Sequence, residues 1–228
     1  MPTDVFFISI QATYQSLGIA LFKNNDCIAS VLSEQARASS SLIAVLQDLL
    51  KAQGVSFEQL SFIVADAGPG AFTSLRVVIA TVNGLAFAAN IPLVSVSTFE
   101  GFVAQLNQPH VLMLLNAFNN DVYFAYANNG LLRASGCVKY TELPAILAAE
   151  KTPDLVHVVG NGLHVYTETM MLLQETFPHF EETALLVPSA ENIGIVGYKK
   201  WQHGQTVKKL EPLYLKTLLY QEQGKPSK

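Results

Sequence analysis

The sequence is short of charge. Asp, Glu, Lys and Arg make up 14% of its 228 residues, against roughly 25% in an average soluble domain. Together with a mean hydropathy of +0.29, this indicates either a membrane protein or a chain that keeps apolar surface for a partner. The run between Arg76 and Glu100 has no charge and is long enough to span a bilayer. It contains Asn83, Asn90 and Pro92, which are costly in lipid, and no membrane span is therefore expected.

Cysteine, histidine and arginine are also scarce. Cys27 and Cys137 lie far apart in strand-like segments, which predicts two buried free thiols and a reducing, cytoplasmic location. The five histidines have no metal-ligand spacing, and no Gly-x-Ser-x-Gly motif is present, so neither a metal site nor serine-hydrolase chemistry is indicated. The start, MPTDVFFISI, has no positive region, and a signal peptide is not expected.

Positive charge is concentrated at the end of the chain. Residues 1–198 carry seven Lys and Arg against sixteen Asp and Glu, whereas residues 199–228 carry seven Lys against two Glu. The lysines of this tail are Lys199, Lys200, Lys208, Lys209, Lys216, Lys225 and Lys228. A basic tail on an acidic body suits an anionic partner, but a solvated terminus explains it equally well. The three arginines form no basic stripe with aromatics, so no dedicated nucleic-acid surface is indicated.

Hydrophobic patterning predicts two similar halves. Residues 1–104 read as three strands, a helix, a strand, a helix and a strand, and residues 105–228 repeat the order of three strands, helix, strand and helix. Two such units predict an α/β protein with the duplicated, two-lobed fold of actin-like and sugar-kinase-like (ribonuclease H-like) proteins. The boundary is expected near residue 104, with the basic tail packing back on the first lobe. Fold analogy alone does not give function.

The most informative segment is DAGPGAFTSLRVVIATVNGLA, residues 66–86. Gly68 and Gly70 flank Pro69 before a helix that Thr73 or Ser74 could cap, and free N–H groups at such a helix start suit an anion. A purely structural turn is the alternative.

The following helix is apolar on two sides. Its first stripe, expected to face the core, consists of Leu75, Val78, Ile79, Val82, Leu85, Ala86 and Ala89. Its second stripe, of mostly small residues, predicts a second helix or another subunit packed against it.

These segments resemble the TsaB (YeaZ) family. GPGAFTSLRVVIATVNGLAFAANIPLVSVSTFEGF is similar to that family's Gly-Pro-Gly-Ser-Phe-Thr-Gly-Leu-Arg segment, and RASSSLIAVLQDLL, VVGNG and LEPLYLK to its first interface helix, glycine loop and C-terminal motif. The resemblance covers most of the chain.

The resemblance implies a non-catalytic subunit of the machinery that makes threonylcarbamoyladenosine in tRNA. Such chains pair with the TsaD transferase, or with themselves, through their first two helices, and the TsaE ATPase joins the pair. The implied partner surface comprises Leu42, Val45, Leu46, Leu49, Val77, Thr81, Gly84 and Ala88. ATP or ADP is expected only between the subunits, at Gly68, Gly70, Thr73 and Arg76. Contact with tRNA is expected to be indirect or through the C-terminal lysines.

Two departures from the family pattern bear on catalysis. Where the family has an acid after the first strand, this chain has Gln11-Ala12-Thr13, and where it tends to have Asp-Ala-Arg, this chain has Asn116-Ala117-Phe118. Actin-like ATPases hold Mg²⁺ with such carboxylates, so ATP hydrolysis by this chain alone is not expected. Ala38, Ser40 and Ser74 also differ from the family and alter the polar edge of its interface. A homodimeric scaffold, a peptidase and a small-molecule kinase remain alternatives.

Overall fold

The computed structural model describes residues 4–14, 16–33, 38–149, 155–165, 171 and 179–216. The first half contains β1 (Phe6–Gln11), β2 (Leu17–Lys23), β3 (Asp26–Ser33), α1 (Ala38–Ala52), β4 (Leu60–Asp66), α2 (Phe72–Ala89), β5 (Leu93–Val96) and α3 (Thr98–Leu106). The second half contains β6 (His110–Asn116), β7 (Asp121–Asn128), β8 (Leu131–Lys139), α4 (Leu143–Ala149), β9 (Leu155–Val159), β10 (His179–Glu182) and α5 (Ala190–Gln202).

Each half forms a five-stranded sheet with the same topology. The strand orders are β3-β2-β1-β4-β5 and β10-β9-β6-β7-β8. In both sheets the first strand pairs antiparallel with the second and parallel with the fourth, and the meander and the parallel pair lie on opposite sides of it. The two sheets are therefore structural repeats, which confirms the predicted duplicated, actin-like two-lobed fold.

The central strands are buried on both faces because helices cover both sides of the first sheet. In β1, Ile8 and Ile10 belong to the core beneath α1 and α2, whereas Phe7 belongs to the core beneath α5. Side chains alternate between the faces of a strand, so a strand covered on both sides is continuously apolar. Strand β3, at the sheet edge, is mostly exposed. Cys27 lies on it and is exposed, contrary to the prediction of two buried thiols.

The first lobe also contains the last described helix. Helix α5 packs across β1, β4 and β5, where Ile193 is buried with Phe7 and Phe62. Trp201, the only tryptophan of the chain, stacks on Phe62 with ring centroids 4.8 Å apart. Residues 1–104 therefore do not complete this lobe, because the helix that covers one face of its sheet lies beyond the predicted boundary.

Some helix boundaries agree with the capping residues in the sequence, and others differ from the prediction. Ser189 caps α5 by accepting a hydrogen bond from Asn192 N–H, as such a position favours. At α2 the predicted cap by Thr73 or Ser74 is wrong: the helix begins at Phe72 after Ala71, and no side chain caps it. Helix α3 and strand β10 have no counterpart in the sequence prediction. The helix predicted around residues 163–177 lies largely outside the described residues.

Helix α2 has the length and composition of a membrane span. In the structure, however, one side packs on the first sheet, where Leu75, Val78 and Val82 are buried. Asn83 hydrogen-bonds through both amide atoms to the backbone of Leu210. The helix therefore belongs to the protein core on one side, and its other side is the one that the sequence predicts to meet a second helix or subunit.

Candidate functional site

The predicted glycine turn lies between β4 and α2, and two other backbone segments of the same chain hydrogen-bond to it. Ala71 N–H donates to Thr13 O at 2.7 Å, and Leu213 N–H donates to Ala67 O at 2.8 Å. A Cβ on Gly70 would lie 2.6 Å from Thr13 Cβ and 2.8 Å from Thr13 O. Gly70 is thus required by the close approach of the loop after β1, and the packing explains it without a phosphate.

Asp66, at the end of β4, is the buried acid of this turn. Its Oδ1 accepts hydrogen bonds from Gly68 N–H and from the Thr98 hydroxyl, both at 2.8 Å. Its Oδ2 has no hydrogen-bond partner among the described residues. Burial raises the pKa of the Asp66 carboxyl to about 7, although the two hydrogen bonds lower it. The side chain orients the turn and its ionisation is unfavourable.

This carboxyl is expected to make stability depend on pH. Between about pH 4 and pH 7 the Asp66 carboxyl loses its proton in the unfolded chain but keeps it in the folded protein. Its contribution to the free energy of unfolding therefore falls by roughly 1.4 kcal/mol for each pH unit in this window and does not change further above pH 7. Asp66→Asn retains the Oδ1 acceptor and cannot ionise. Over this window wild type loses about 4 kcal/mol. The amide NH₂ that replaces the unpartnered Oδ2 costs about 2 kcal/mol, so we expect the variant to lose this pH dependence and to be about 2 kcal/mol more stable than wild type at pH 8. Urea unfolding at pH 5 and pH 8, followed by Trp201 fluorescence, measures this difference in stability.

Asp48→Asn, at an exposed position on α1, is the control for this measurement. Equal pH dependence in wild type and Asp66→Asn would contradict the assignment of the pH effect to Asp66.

The ends of β1 and β6 carry amide side chains, Gln11 and Asn116. Gln11 is buried and donates from Nε2 to the Thr13 hydroxyl at 2.9 Å. Asn116 Oδ1 accepts from Phe118 N–H at 2.8 Å. Tyr14 joins the lobes by donating from its hydroxyl to Asn116 O at 2.8 Å. Both side chains are neutral amides, and the hydrogen bonds that they make here hold the loops that follow the two strands.

The segment after α5 also joins the lobes. Val207 pairs with Leu93 of β5, and Leu213 bonds to the backbone beside the glycine turn. Lys216 Nζ then reaches the second lobe, where it donates to Ala117 O at 3.0 Å and pairs with Asp121 Oδ2 at 2.6 Å. Of the basic tail, Lys216 and Lys200 are therefore engaged within the protein, the latter in an ion pair with Glu100.

The predicted partner residues of α1 lie mainly inside the protein. Leu42, Leu46 and Leu49 are 1%, 2% and 5% exposed and belong to the first-lobe core, and Val45 packs against that core. The three leucines cannot form a free partner surface, because the sheet beneath the helix already covers them. The apolar side chain that α1 leaves exposed is Ile43.

The predicted partner residues of α2 lie on its outward side. Gly84 and Ala88 are exposed, and Val77 and Thr81 are half-buried. Phe87, which is absent from the predicted set, lies on this side and is 90% exposed. From Val77 to Ala89 the helix has no charged residue. We call Val77, Ala80, Thr81, Gly84, Phe87 and Ala88 the outer face of α2. A large exposed aromatic beside small residues is typical of a binding surface.

The four residues predicted for a nucleotide differ in exposure. Gly68 and Gly70 are buried, whereas Thr73 and Arg76 are exposed. The Arg76 guanidinium lies 3.7 Å from the Phe72 ring centroid and donates from Nε to the Tyr214 hydroxyl at 2.9 Å. Nucleotide binding stays a prediction. In the described part of the chain, no three His, Cys, Asp or Glu side chains lie close enough to hold a metal ion.

Comparisons with known proteins agree in both sequence and fold. Residues 32–216 match the family model for TsaD, the tRNA N6-adenosine threonylcarbamoyltransferase. The tRNA threonylcarbamoyladenosine biosynthesis protein TsaB of Escherichia coli (strain K12) is 24% identical over 226 residues, which cover 92% of this chain and 94% of that protein. The threonylcarbamoyltransferase of Phocaeicola vulgatus is 25% identical over 155 residues, only 46% of its length. The structure of YeaZ from Pseudomonas aeruginosa, 22% identical, superposes with a TM-score of 0.76 and covers 92% of this chain and 100% of its own.

Proposed function

Because the chain belongs to the TsaB (YeaZ) family, we propose that it is a non-catalytic subunit in the biosynthesis of threonylcarbamoyladenosine in tRNA. It dimerises with a TsaD-type transferase and holds that enzyme in its active form. The protein is expected in the cytoplasm, where tRNA is modified.

The outer face of α2 carries the proposal. Phe87 is 90% exposed, and a Cβ on Gly84 would meet nothing within 4 Å. A partner helix can approach a surface of Gly and Ala closely, and Phe87 gives it an aromatic anchor. The leucines of α1 support this surface from the core rather than contact the partner.

The side chains at the ends of β1 and β6 support a non-catalytic role. Gln11 and Asn116 stand at the two strand ends where actin-like ATPases hold Mg²⁺ with carboxylates, and both amides are engaged in local hydrogen bonds. Tyr14 and Lys216 further tie the two lobes together there. The transferase, rather than this chain, supplies the catalytic groups in this proposal.

The remaining partners are extensions of the same proposal. A TsaE-type ATPase joins the pair, ATP or ADP binds only at the subunit boundary, and a homodimer forms through the outer face of α2 when the transferase is absent. Exposed Lys199, Lys208 and Lys209 offer an auxiliary contact for tRNA phosphates.

Light scattering on a sizing column tests the proposal directly. The chain is measured alone, then mixed with the TsaD-type transferase of the same organism, with and without ATP. We expect a one-to-one heterodimer that forms at the expense of any homodimer. The Arg133→Gln variant, changed at an exposed position of β8 in the second lobe, is expected to assemble as wild type does. A homodimer indifferent to the transferase would overturn the proposed function.

A further inference from the structure

A groove beside the outer face of α2 separates that helix from the segment after α5. It has a volume of about 550 Å³. Ile79, Ala80 and Asn83 line it from α2, and Leu210 and Pro212 line it from the opposite segment. The groove is thus continuous with the proposed partner surface, because Ala80 belongs to both.

Arg76 is held at one wall of this groove in a fixed orientation. Its guanidinium lies 3.7 Å from the centroid of the Phe72 ring and 5.8 Å from that of Tyr214. Nε donates to the Tyr214 hydroxyl at 2.9 Å, and no described residue accepts a hydrogen bond from the two Nη groups, which leaves them for another acceptor. The two aromatic rings and the Nε hydrogen bond orient the planar guanidinium before any ligand binds, and its two Nη groups form a fork that matches the two oxygens of a carboxylate.

Two cations and one acid line the groove, and none of them forms an ion pair with another described residue. Lys209 is exposed and lines the groove with Arg76. Among the ion pairs between described residues, none includes Arg76 or Lys209. Glu211, the one acid of the lining, is exposed and makes no such pair either. Since the outer face of α2 has no charge after Arg76, these two cations mark one edge of an otherwise uncharged surface.

We propose that the groove receives an acidic side chain of the protein that covers the outer face of α2, with its carboxylate bound by the Arg76 fork and Lys209. The inference rests on the proposed function and adds the chemistry of the partner: an apolar helix surface flanked on one side by Asp or Glu. Charge complementarity at such an edge fixes the register of two helices that small residues alone would leave free to slide.

The test compares affinities for the transferase at 50, 150 and 300 mM NaCl, without nucleotide and with ATP. Arg76→Gln is expected to raise Kd at least about tenfold at the lowest salt, with the difference shrinking as salt rises. Arg76→Lys keeps the charge without the fork and is expected to recover part of the loss. Lys209→Gln is expected to raise Kd about threefold. Arg133→Gln, at an exposed position of β8 in the second lobe, is the matched control and should change Kd less than twofold.

Three results would overturn the carboxylate site. These are an unchanged Kd and salt slope in Arg76→Gln, an equal loss in Arg133→Gln, or a loss confined to the samples with ATP, which would assign Arg76 to a nucleotide. Unfolding followed by Trp201 fluorescence confirms that each variant is folded.

The same data separate this inference from the proposed function. If wild type itself does not bind the transferase, the proposed function fails as well. If wild type binds and only the Arg76 prediction fails, the inference falls alone. In a positive case, Arg76→Glu should regain affinity when one acid of the transferase is changed to Arg, and that acid is then the ligand.

Discussion

Gly84→Arg is expected to abolish pairing with the transferase while making the subunit itself more stable. Gly84 lies within α2 and is exposed, and a Cβ at this position would have nothing within 4 Å, so the isolated chain accommodates a long side chain. Replacing a glycine inside a helix gains roughly 0.5–1 kcal/mol of stability. On the outer face of α2 the same side chain places bulk and charge where a helix must approach closely, and we expect Kd to rise about 100-fold or more.

The two readouts separate an interface effect from a folding defect. Titration calorimetry against the transferase gives Kd, and urea unfolding followed by Trp201 fluorescence gives the stability of the first lobe. Gly84→Ala is the matched control, because it makes the same gain in helix propensity and adds one methyl group; its Kd should stay within about tenfold of wild type. If Gly84→Arg still forms the heterodimer with wild-type affinity, the partner binds elsewhere.

Gly160→Ala is expected to lower the free energy of unfolding more than any of the other substitutions proposed. Gly160 follows β9 with φ +103°, and a Cβ there would lie 2.0 Å from Leu114 O of β6. Strand β6 pairs with both β7 and β9, so its backbone cannot move aside without breaking pairs. We expect the free energy of unfolding to fall by about 3–5 kcal/mol and Tm by roughly 10 °C, measured by far-UV circular dichroism.

Gly130→Ala separates the clash from the cost of the backbone angle. Gly130 lies at the β7–β8 turn with φ +75°, and nothing lies within 4 Å of a Cβ there. The variant carries a similar conformational penalty, about 1 kcal/mol, without the collision. Equal values of Tm for the two variants would mean that the loop after β9 relaxes freely, contrary to the packing described.

The sequence reveals the duplication because each half repeats the same strand and helix order. It cannot assign α5 to a lobe, since the pairing of Ile193 with Phe7 and Phe62 joins residues that are far apart in the chain. Helix α3 is short, and its signal is a capping box between Ser97 and Glu100 rather than a hydrophobic stripe.

The candidate site is less predictable than the fold. Periodicity shows that α1 and α2 each have apolar stripes, but only the sheet decides which stripe is core. Leu42 and Leu46 face it, whereas Gly84 does not. Phe87 sits within an apolar run and looks like a core residue in the sequence. The orientation of Arg76 depends on Tyr214, which is 138 residues away and has no pattern linking it to the helix.

The late position of α5 has a consequence for synthesis on the ribosome. Phe7 and Phe62 emerge early, but α5 covers their face of the sheet only after residues 190–202 have been made. At roughly 5–20 residues per second, that aromatic surface stays uncovered on the nascent chain for about 7–30 s. We therefore expect chaperones that bind exposed apolar strands to bind this protein during translation, before α5 covers the first lobe.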